Sequence, residues 1–432
     1  MWHIRHSRLN MEVFRSELNI FDPPEIQSAI EKGVYVDVFP ISQHLNTGTI
    51  EFEIHGGSEY IDLNDTMLCV NASVVNADGT AIATETEAAF INAPLYTMFN
   101  DVSVYFNDKK VSGGDQLYPY KSLITLLLSY SKGALQQQIA SCGFAMDDAT
   151  RMDVATNTAH GTRKAWNNGR TYMGRLLSDV FQQQRYLLNG VTIRIKLQSA
   201  SAEFALMCHT SNAKPKFIIN GAYLSMRRVQ VAPGVQLEHE RSLNYSNAIY
   251  PYTQKMIHTQ TITKGMQQVI KENLYNGALP KMLIISMVSS SAYVGNYVKN
   301  PFNFQHFNAS LISLKKDGEN IPFRAYEPVF DSKSYLREYM NLFTSFNLQG
   351  RDDNLSFSYD DFSGGYCFYV FNLTPDQSTT TSVAQQLAQN SNVRLEIKFK
   401  ETLAEDVTIL IMGIFDGVVE INAARNCTVS NI

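Results

Sequence analysis

Two short segments, Val191–Leu197 (VTIRIKL) and Val393–Phe399 (VRLEIKF), carry almost the same pattern of side chains. In both, every second residue is apolar and the residues between are polar or charged. This alternation is typical of a β-strand with one buried and one solvated face. The two segments lie 202 positions apart, measured from Ile193 to Leu395. The spacing suggests that the chain contains one β-rich unit twice.

The segments that precede these two strands repeat in the same order. Asp101–Phe106 (DVSVYF) leads through a turn into an apolar helix predicted over Lys121–Tyr130. Asn308–Leu314 (NASLISL) leads through a turn into a helix predicted over Ser334–Phe346. The second helix places Leu336, Met340 and Phe343 on one face.

Two further residue pairs extend the repeat at a similar offset. They are Val104 with Leu311, 207 positions apart, and Leu206 with Ile411, 205 positions apart. Matching order at a nearly constant shift predicts two copies of a unit of ordinary domain size.

The predicted elements define an all-β fold class. Each unit has roughly eight short strands, few helices, and turns rich in Asn, Asp and Gly. Long excursions between strands favour a jelly roll over an up-and-down barrel, whose connections are short. We therefore predict a double jelly roll, two fused eight-stranded β-sandwiches with a few short helices in the connecting loops. The predicted domains are an N-terminal arm at 1–30, a first jelly roll at 31–230 and a second at 231–432.

Composition excludes several classes of protein. The chain has 36 Lys and Arg against 41 Asp and Glu, a net charge of −5, so it lacks the basic footprint of a dedicated nucleic-acid binder. No apolar run approaches the ~18 residues of a membrane-spanning helix. Five scattered cysteines without a CxxC pair argue against a disulfide framework or zinc ribbon and favour a reducing compartment.

Histidine and cysteine give only weak candidates for metal binding. His3 and His6 have i,i+3 spacing near the N-terminus. Cys208 and His209 are adjacent, so on a strand their side chains face opposite sides. We interpret this pair as a buried cysteine beside a polar histidine.

Clustered carboxylates are candidates for glycoside hydrolysis and for Ca²⁺ binding. Glu238 and Glu240 lie on one side of a segment predicted to be extended, with His239 opposite. The remaining candidates are two adjacent pairs that bracket a loop rich in Tyr and Ser: Asp352, Asp353, Asp360 and Asp361. Paired carboxylates hydrolyse glycosides only at a defined separation. The loop spacing also matches no EF-hand. We therefore interpret these residues as solvated or turn-forming.

Two aromatic clusters resemble stacking platforms for single-stranded nucleic acid. Neither has interleaved Arg or Lys at any density, so sandwich core and subunit packing are the stronger interpretations. The clusters are Tyr293, Tyr297, Phe302, Phe304 and Phe307, and Tyr359, Phe362, Tyr366, Phe368 and Tyr369. We assign no catalytic, cofactor-binding or metal-binding residue.

Much of the chain resembles the major capsid protein (hexon) of Maverick/Polinton elements and the related adintoviruses. Many medium-strength matches, from about residue 16 to about residue 425, follow the family's order. The most specific are Tyr118–Tyr130 (YPYKSLITLLLSY) and Tyr297–Leu311 (YVKNPFNFQHFNASL). Others are Ser16–Pro24 (SELNIFDPP), Tyr35–Pro40 (YVDVFP), Ile50–Met67 (IEFEIHGGSEYIDLNDTM), Pro94–Val104 (PLYTMFNDVSV), Gln182–Leu197, Tyr335–Phe343, Gly364–Pro375 (GGYCFYVFNLTP) and Arg394–Phe399.

The resemblance implies a structural protein and not an enzyme. Three chains would form a pseudo-hexagonal homotrimer, and trimers would tile an icosahedral shell around a DNA genome. Implied partners are the chain itself, a penton protein and minor capsid proteins, and the implied location is the virion capsid. The N-terminal arm, with Arg5, Arg8 and Arg15, would touch DNA weakly through phosphates.

The sequence is also compatible with other functions. A duplicated β-sandwich lectin would use the loop aromatics and carboxylates for glycans or Ca²⁺. An enzyme on a jelly-roll scaffold would need a catalytic cluster that nine scattered histidines do not offer. The family also occurs as integrated copies in animal genomes, and the sequence does not separate a viral chain from a domesticated one. It also leaves open whether assembly occurs in the nucleus or the cytoplasm.

Overall fold

The computed structural model describes residues 26–42, 45–46, 48–350, 355–375 and 389–431. Strands dominate both halves of the chain. In the first half they are β1 (Ile30–Val38), β2 (Thr49–Ile54), β3 (Tyr60–Val75), β4 (Ala88–Phe90), β5 (Phe99–Phe106), β6 (Lys109–Ser112), β7 (Arg170–Arg175), β8 (Ile193–Ser199), β9 (Leu206–Cys208) and β10 (Lys216–Val231). In the second half they are β11 (Ala248–Ile262), β12 (Gln268–Lys271), β13 (Met282–Ser289), β14 (Ala309–Lys316), β15 (Glu319–Tyr326), β16 (Tyr369–Asn372), β17 (Val393–Phe399), β18 (Val407–Ile421) and β19 (Cys427–Asn431).

Each half builds two antiparallel sheets with the same strand order. The first half forms sheets β1-β10-β3-β7 and β2-β8-β5-β6. The second forms β11-β18-β13-β16 and β12-β17-β14-β15, with β19 added beside β18. If the short β4–β9 pair is set aside, both halves join their first, eighth, third and sixth strands in one sheet and the other four in the second. This order is that of a jelly roll, so the double jelly roll predicted from the sequence is confirmed.

The repeat extends to the hairpin that follows the fourth strand of each jelly roll. Asn107 and Asp108 join β5 to β6 with φ angles of 44° and 66°. Asp317 and Gly318 join β14 to β15 with φ angles of 49° and 94°. Two consecutive residues with positive φ form the turn that matches strand twist, which is why Asn, Asp and Gly occupy these positions.

The paired strands that revealed the repeat are true counterparts, with one exception. Val104 and Leu311 lie in β5 and β14, and Ile193 and Leu395 lie in β8 and β17. The pairing of Leu206 with Ile411 is wrong. Leu206 lies in β9, outside the two main sheets, because β9 pairs only with β4 in the described chain. The counterpart of β18 is β10, whose polar residues hide its match to the apolar β18.

Helices occupy the connections between strands. They are α1 (Pro94–Thr97), α2 (Tyr118–Ser129), α3 (Lys132–Gln137), α4 (Thr158–Lys164), α5 (Ala202–Ala205), α6 (Pro233–Leu243), α7 (Ser290–Val294), α8 (Leu336–Ser345) and α9 (Tyr359–Gly364). The predicted helices over Lys121–Tyr130 and Ser334–Phe346 correspond to α2 and α8. Helix α2 is buried along almost its whole length, because it lies between the two jelly rolls.

The burial pattern along each strand shows whether one or both faces of that strand are covered by the rest of the protein. In β2 and β17, buried residues alternate with more accessible ones, as their sequences predict. Strand β18 is buried along nearly all its length and carries a continuous apolar run, which is typical of a sheet covered on both faces. Strand β10 in the first jelly roll has more accessible residues between its buried ones, so it is less completely covered than β18. In the described residues, one large apolar cluster extends through both jelly rolls.

Candidate functional site

The two jelly rolls meet along a buried aromatic seam. Tyr120 on α2 belongs to the first jelly roll and contacts Phe204 of the same half at a ring distance of 5.8 Å. Its ring stacks on Tyr293 at 5.9 Å and meets the edge of Phe302 at 5.6 Å, both from the second jelly roll. Aromatic pairs of this kind contribute about 0.5–1.5 kcal/mol beyond their buried area. The seam therefore fixes the orientation of one jelly roll relative to the other.

Buried hydrogen bonds join the two halves beside this seam. The Tyr366 hydroxyl donates to the backbone oxygen of Asp147 at 2.9 Å, across the junction. The Asp147 carboxylate accepts from the Arg163 guanidinium at 2.7 Å, and both side chains are almost fully buried. The backbone N–H of Asn300 donates to the Asp153 carboxylate at 2.7 Å. Because a buried charge must be paired, these contacts tie the junction to a defined geometry.

A second set of contacts joins the segment before β8 to strand β11. The backbone N–H of Lys255 donates to the Asp179 carboxylate at 3.0 Å, and its ammonium group reaches Gln182 at 3.4 Å. Burial raises the pKa of Asp179 and lowers the pKa of Lys255, and each charge partly offsets the effect of burial on the other. The edge strand of the second jelly roll is therefore covered by the first.

A cavity of about 590 Å³ lies where the two jelly rolls meet helix α6. Its lining is largely apolar and includes Leu188, Leu243 and Tyr250. Two of its polar groups, the Tyr60 hydroxyl and His239 Nδ1, already hydrogen-bond each other at 3.0 Å. The cavity volume is within the range of small-ligand sites. Its largely apolar lining is suited to packing rather than to catalysis.

The segment Glu238–Glu240 is helical, so its predicted extended conformation is wrong. It lies within α6, which begins with proline after Ala232. Glu238 pairs with Arg241 at 2.6 Å, one helical turn away, and Glu240 pairs with Arg425. The two carboxylates therefore bind different arginines and do not converge. The sequence suggested extension because α6 has almost no apolar face, with Leu243 its one buried residue.

Cys208 and His209 lie at the end of β9 with different surroundings. The Cys208 thiol is buried and faces the backbone oxygen of Thr210 at 3.8 Å. The His209 ring packs edge-on against His160, with ring centres 5.4 Å apart. His160 is 1% exposed and neither of its ring nitrogens has a hydrogen-bond partner. Burial lowers the pKa of His160 to about 4, so the ring is neutral near pH 7.

The loop carboxylates that the structure describes are engaged in local contacts. Asp361 caps helix α9, accepting from both the backbone and the side chain of Ser358. Asp360 pairs with Lys333 at 2.6 Å. Asp352 and Asp353 lie outside the described residues. Among the described residues, no three His, Cys, Asp or Glu side chains are arranged to hold a metal ion.

The two aromatic clusters contribute to the core and to the junction. Phe302, Phe304, Phe362, Phe368 and Tyr369 are buried. The remaining members pack partly buried against the same core or, like Tyr366, are buried in it. The clusters therefore offer no open stacking platform.

The residues His3, Arg5, His6, Arg8 and Arg15 lie outside the described part of the chain. Within that part, no helix has the length and apolar character needed to cross a membrane.

Two exposed apolar surfaces, one in each jelly roll, were not predicted from the sequence. One is on β1, where Tyr35 and Phe39 point outward. The other is on β15 and α8, where Phe323, Leu336 and Met340 are exposed. Of the helix face predicted from Leu336, Met340 and Phe343, the first two residues are exposed, whereas Phe343 is partly buried against the core. A usable signal was present in Tyr35–Pro40 (YVDVFP), where aromatic residues occupy the solvated side of an alternating strand.

Two fused jelly rolls of equal topology place the chain in the double jelly-roll fold class of viral major capsid proteins. The chain is similar to a chain of the Sputnik virophage over 98% of its length and 93% of that chain, with a TM-score of 0.66 and 11% identity. It is similar to the mavirus major capsid protein over 100% and 96%, with a TM-score of 0.54 and 13% identity. For the Faustovirus major capsid protein the coverage is 93% and 92%, the TM-score 0.56 and the identity 8%.

Sequence comparison adds one relative. An uncharacterized protein of Caenorhabditis elegans is 23% identical over 424 residues, covering 95% of this chain and 100% of that protein. No family model matches the chain. At these identities the likenesses establish the fold.

Proposed function

We propose that this chain is a viral major capsid protein whose function is self-assembly. The observation that carries the proposal is the presence of two jelly rolls of equal strand order in one chain, fixed together by a buried junction. A cyclic trimer of such chains presents six similar wedges, so one chain tiles a hexagonal lattice. Weak contacts between many trimers then stabilise a shell collectively.

The proposal extends to the family and its assembly. The segments around Tyr118–Tyr130 and Tyr297–Leu311 support a place among the hexons of Maverick/Polinton elements and adintoviruses. The Caenorhabditis elegans relative agrees with a family whose copies occur in animal genomes. On this proposal, homotrimers form an icosahedral virion capsid around a DNA genome, with penton and minor capsid proteins as partners. The chain is not an enzyme and uses no cofactor.

The proposed domain limits separate an N-terminal arm from the two jelly rolls. The arm occupies residues 1–30, the first jelly roll 31–230 and the second 231–432. Arg5, Arg8 and Arg15 would give the arm weak contact with DNA through phosphates.

The glycan-binding alternative is not favoured. It relied on loop carboxylates and aromatic rings that are free to meet a sugar. Asp360 is paired with Lys333 and Asp361 caps a helix. The described rings of the two aromatic clusters pack in or against the core.

Negative-stain imaging of the purified full-length chain tests the proposal. We expect capsomers with a hexagonal outline, or closed shells built from them, across a range of salt and pH. Uniform small particles with no hexagonal outline under any of these conditions would contradict it, and a glycan array would then be the next experiment.

A further inference from the structure

The cavity of about 590 Å³ beside helix α6 is built from three parts of the chain. Strands β1, β3 and β10 and the segment Gln184–Leu188 form the side of the first jelly roll, and the start of β11 forms the side of the second. Helix α6 forms the third side. Three lining residues, Tyr60, Leu188 and Leu243, belong to a small apolar cluster that is separate from the main core. The cavity therefore has an apolar wall of its own, which the side chains of this cluster do not fill.

Hydrogen bonds hold α6 in place over this cavity. The Tyr60 hydroxyl of the first jelly roll and His239 Nδ1 of the helix hydrogen-bond at 3.0 Å. Arg425, between β18 and β19, pairs with Glu240 of the helix and donates from Nε to the backbone oxygen of Asn189 at 2.9 Å. These contacts tie the helix to both jelly rolls. The cavity is therefore preformed, which reduces the free-energy cost of binding a ligand in it.

The charged groups of the lining favour an anionic ligand. In the described part of the chain, the lining includes Arg185 and no Asp or Glu side chain. Gln183 fixes the backbone at this position, because its side chain accepts from the Arg185 N–H and donates to the Arg185 carbonyl oxygen, both at 2.6 Å. The guanidinium donates from Nη1 to the backbone oxygen of Ile249 at 2.6 Å. A guanidinium has five N–H donors, so others are available to a ligand.

A buried hydroxyl adds a second donor to the wall. Tyr250 is 5% exposed, and its hydroxyl oxygen accepts from the backbone N–H of Leu188 at 3.0 Å. Burial raises the pKa of Tyr250 to about 12, so the hydroxyl keeps its proton near pH 7. A tyrosine hydroxyl that accepts one hydrogen bond can still donate another. The apolar wall therefore carries a guanidinium and a hydroxyl that can both donate to an anion.

We propose that this cavity binds a free long-chain fatty acid, with the alkyl chain against the apolar wall and the carboxylate at Arg185. Burial of the alkyl chain supplies the affinity. A charge-assisted hydrogen bond from the guanidinium selects the carboxylate over a neutral or esterified end group. Binding does not require self-assembly, since one chain supplies every lining residue. Because the ligand contacts both jelly rolls and α6, its binding stabilises the folded junction.

Displacement of a fluorescent fatty acid, dansyl-undecanoic acid, from the purified full-length chain tests the proposal. The competitors are dodecanoate, decanoate and 1-decanol, each below its micelle or solubility limit. Dodecanoate should bind about 15-fold more tightly than decanoate, because two more methylene groups are buried. Decanoate should bind more tightly than 1-decanol, whereas an apolar surface without the guanidinium would prefer the alcohol.

Three variants locate the site. Val235→Trp places an indole on the α6 side of the cavity, and its matched control is Leu237→Trp at a 52% exposed position of the same helix outside the lining. Val235→Trp should abolish saturable displacement, and Leu237→Trp should leave it unchanged. Arg185→Gln should weaken dodecanoate binding about tenfold, the usual effect of losing a hydrogen bond to a charged group, and should leave 1-decanol unaffected. Circular dichroism without ligand establishes that each variant is folded.

Thermal unfolding gives an independent measurement. Dodecanoate should raise the melting temperature of the unchanged chain and of Leu237→Trp, but not that of Val235→Trp, because a ligand that binds only the folded chain stabilises it. The absence of saturable displacement from the unchanged chain, or full binding by folded Val235→Trp, would overturn the assignment of this cavity. Arg185→Gln does not alter the cavity wall on α6, so it tests the proposal even if Val235→Trp does not fold. Equal binding of dodecanoate by Arg185→Gln and the unchanged chain would overturn recognition of the carboxylate.

Discussion

Replacing His160 by glutamine should remove a specific part of the acid sensitivity of folding. His160 lies on α4 with both ring nitrogens buried and unpartnered. Arg163 and Lys164 of the same helix, together with His209, disfavour its protonated form, and Glu87 favours it. Burial is the largest effect, and it lowers the pKa from 6.5 to about 4. Glutamine removes the titration and leaves a neutral side chain at every pH.

The size of the effect follows from the difference in pKa between unfolded and folded chain. In the unfolded chain His160 binds a proton below about pH 6.5. In the folded chain it binds one only below about pH 4. Stability is therefore lost as the pH falls through this window and is unaffected above it. One pKa unit corresponds to about 1.4 kcal/mol, so His160 costs about 2 kcal/mol at pH 5.0 and nearly nothing at pH 7.5. Because the His160 side chain is almost fully buried, solvent screening reduces this free-energy difference only slightly.

Urea unfolding of both proteins at pH 7.5 and pH 5.0, at equal protein concentration, measures the effect. The quantity of interest is how the difference in unfolding free energy between the two proteins changes with pH. This double difference cancels other titrating groups such as His306, whose pKa is also lowered to about 4 by burial. We expect a change of about 2 kcal/mol in favour of His160→Gln at pH 5.0. A pH-independent difference would refute the reasoning.

Three further outcomes follow from the junction and the core. Tyr120→Ala should lower the unfolding free energy by about 3–5 kcal/mol, because a large ring is lost from the seam; an unchanged melting temperature would contradict this. Arg163→Met should cost about 3–5 kcal/mol in urea unfolding, since it removes the cation beside the buried Asp147, and a loss below about 1 kcal/mol would show that the pair is dispensable. Thiol labelling at pH 8 should be slow in the native chain and complete in urea, because burial raises the pKa of Cys367 to about 12; fast native labelling of this residue would count against the described burial.

Clean strand patterns and turn chemistry made the repeat predictable from sequence. The alternation in β8 and β17 and the turn residues Asn107, Asp108 and Gly318 all have local physical causes. Because these causes act locally, the strands that carry the repeat and the turns beside them were located correctly. The one false pairing, Leu206 with Ile411, arose because apolar content was compared without knowledge of sheet coverage.

Elements whose residues depend on the junction escaped sequence reasoning. Strand β11 contains Pro251 and several polar residues, and its burial follows from cover by the first jelly roll rather than from its own period. Helix α6 has too few apolar residues to show helical spacing. In α8, the helical spacing placed Leu336, Met340 and Phe343 on one face, but only Phe343 packs against the core and the other two residues are exposed.

The mass of the purified full-length chain in solution tests the central claim most directly. Light scattering on the size-excluded peak at neutral pH should give 145.8 kDa, three chains of 48.6 kDa, or larger assemblies built from that unit. A stable mass of 48.6 kDa across salt and pH would contradict self-assembly as the function of this fold.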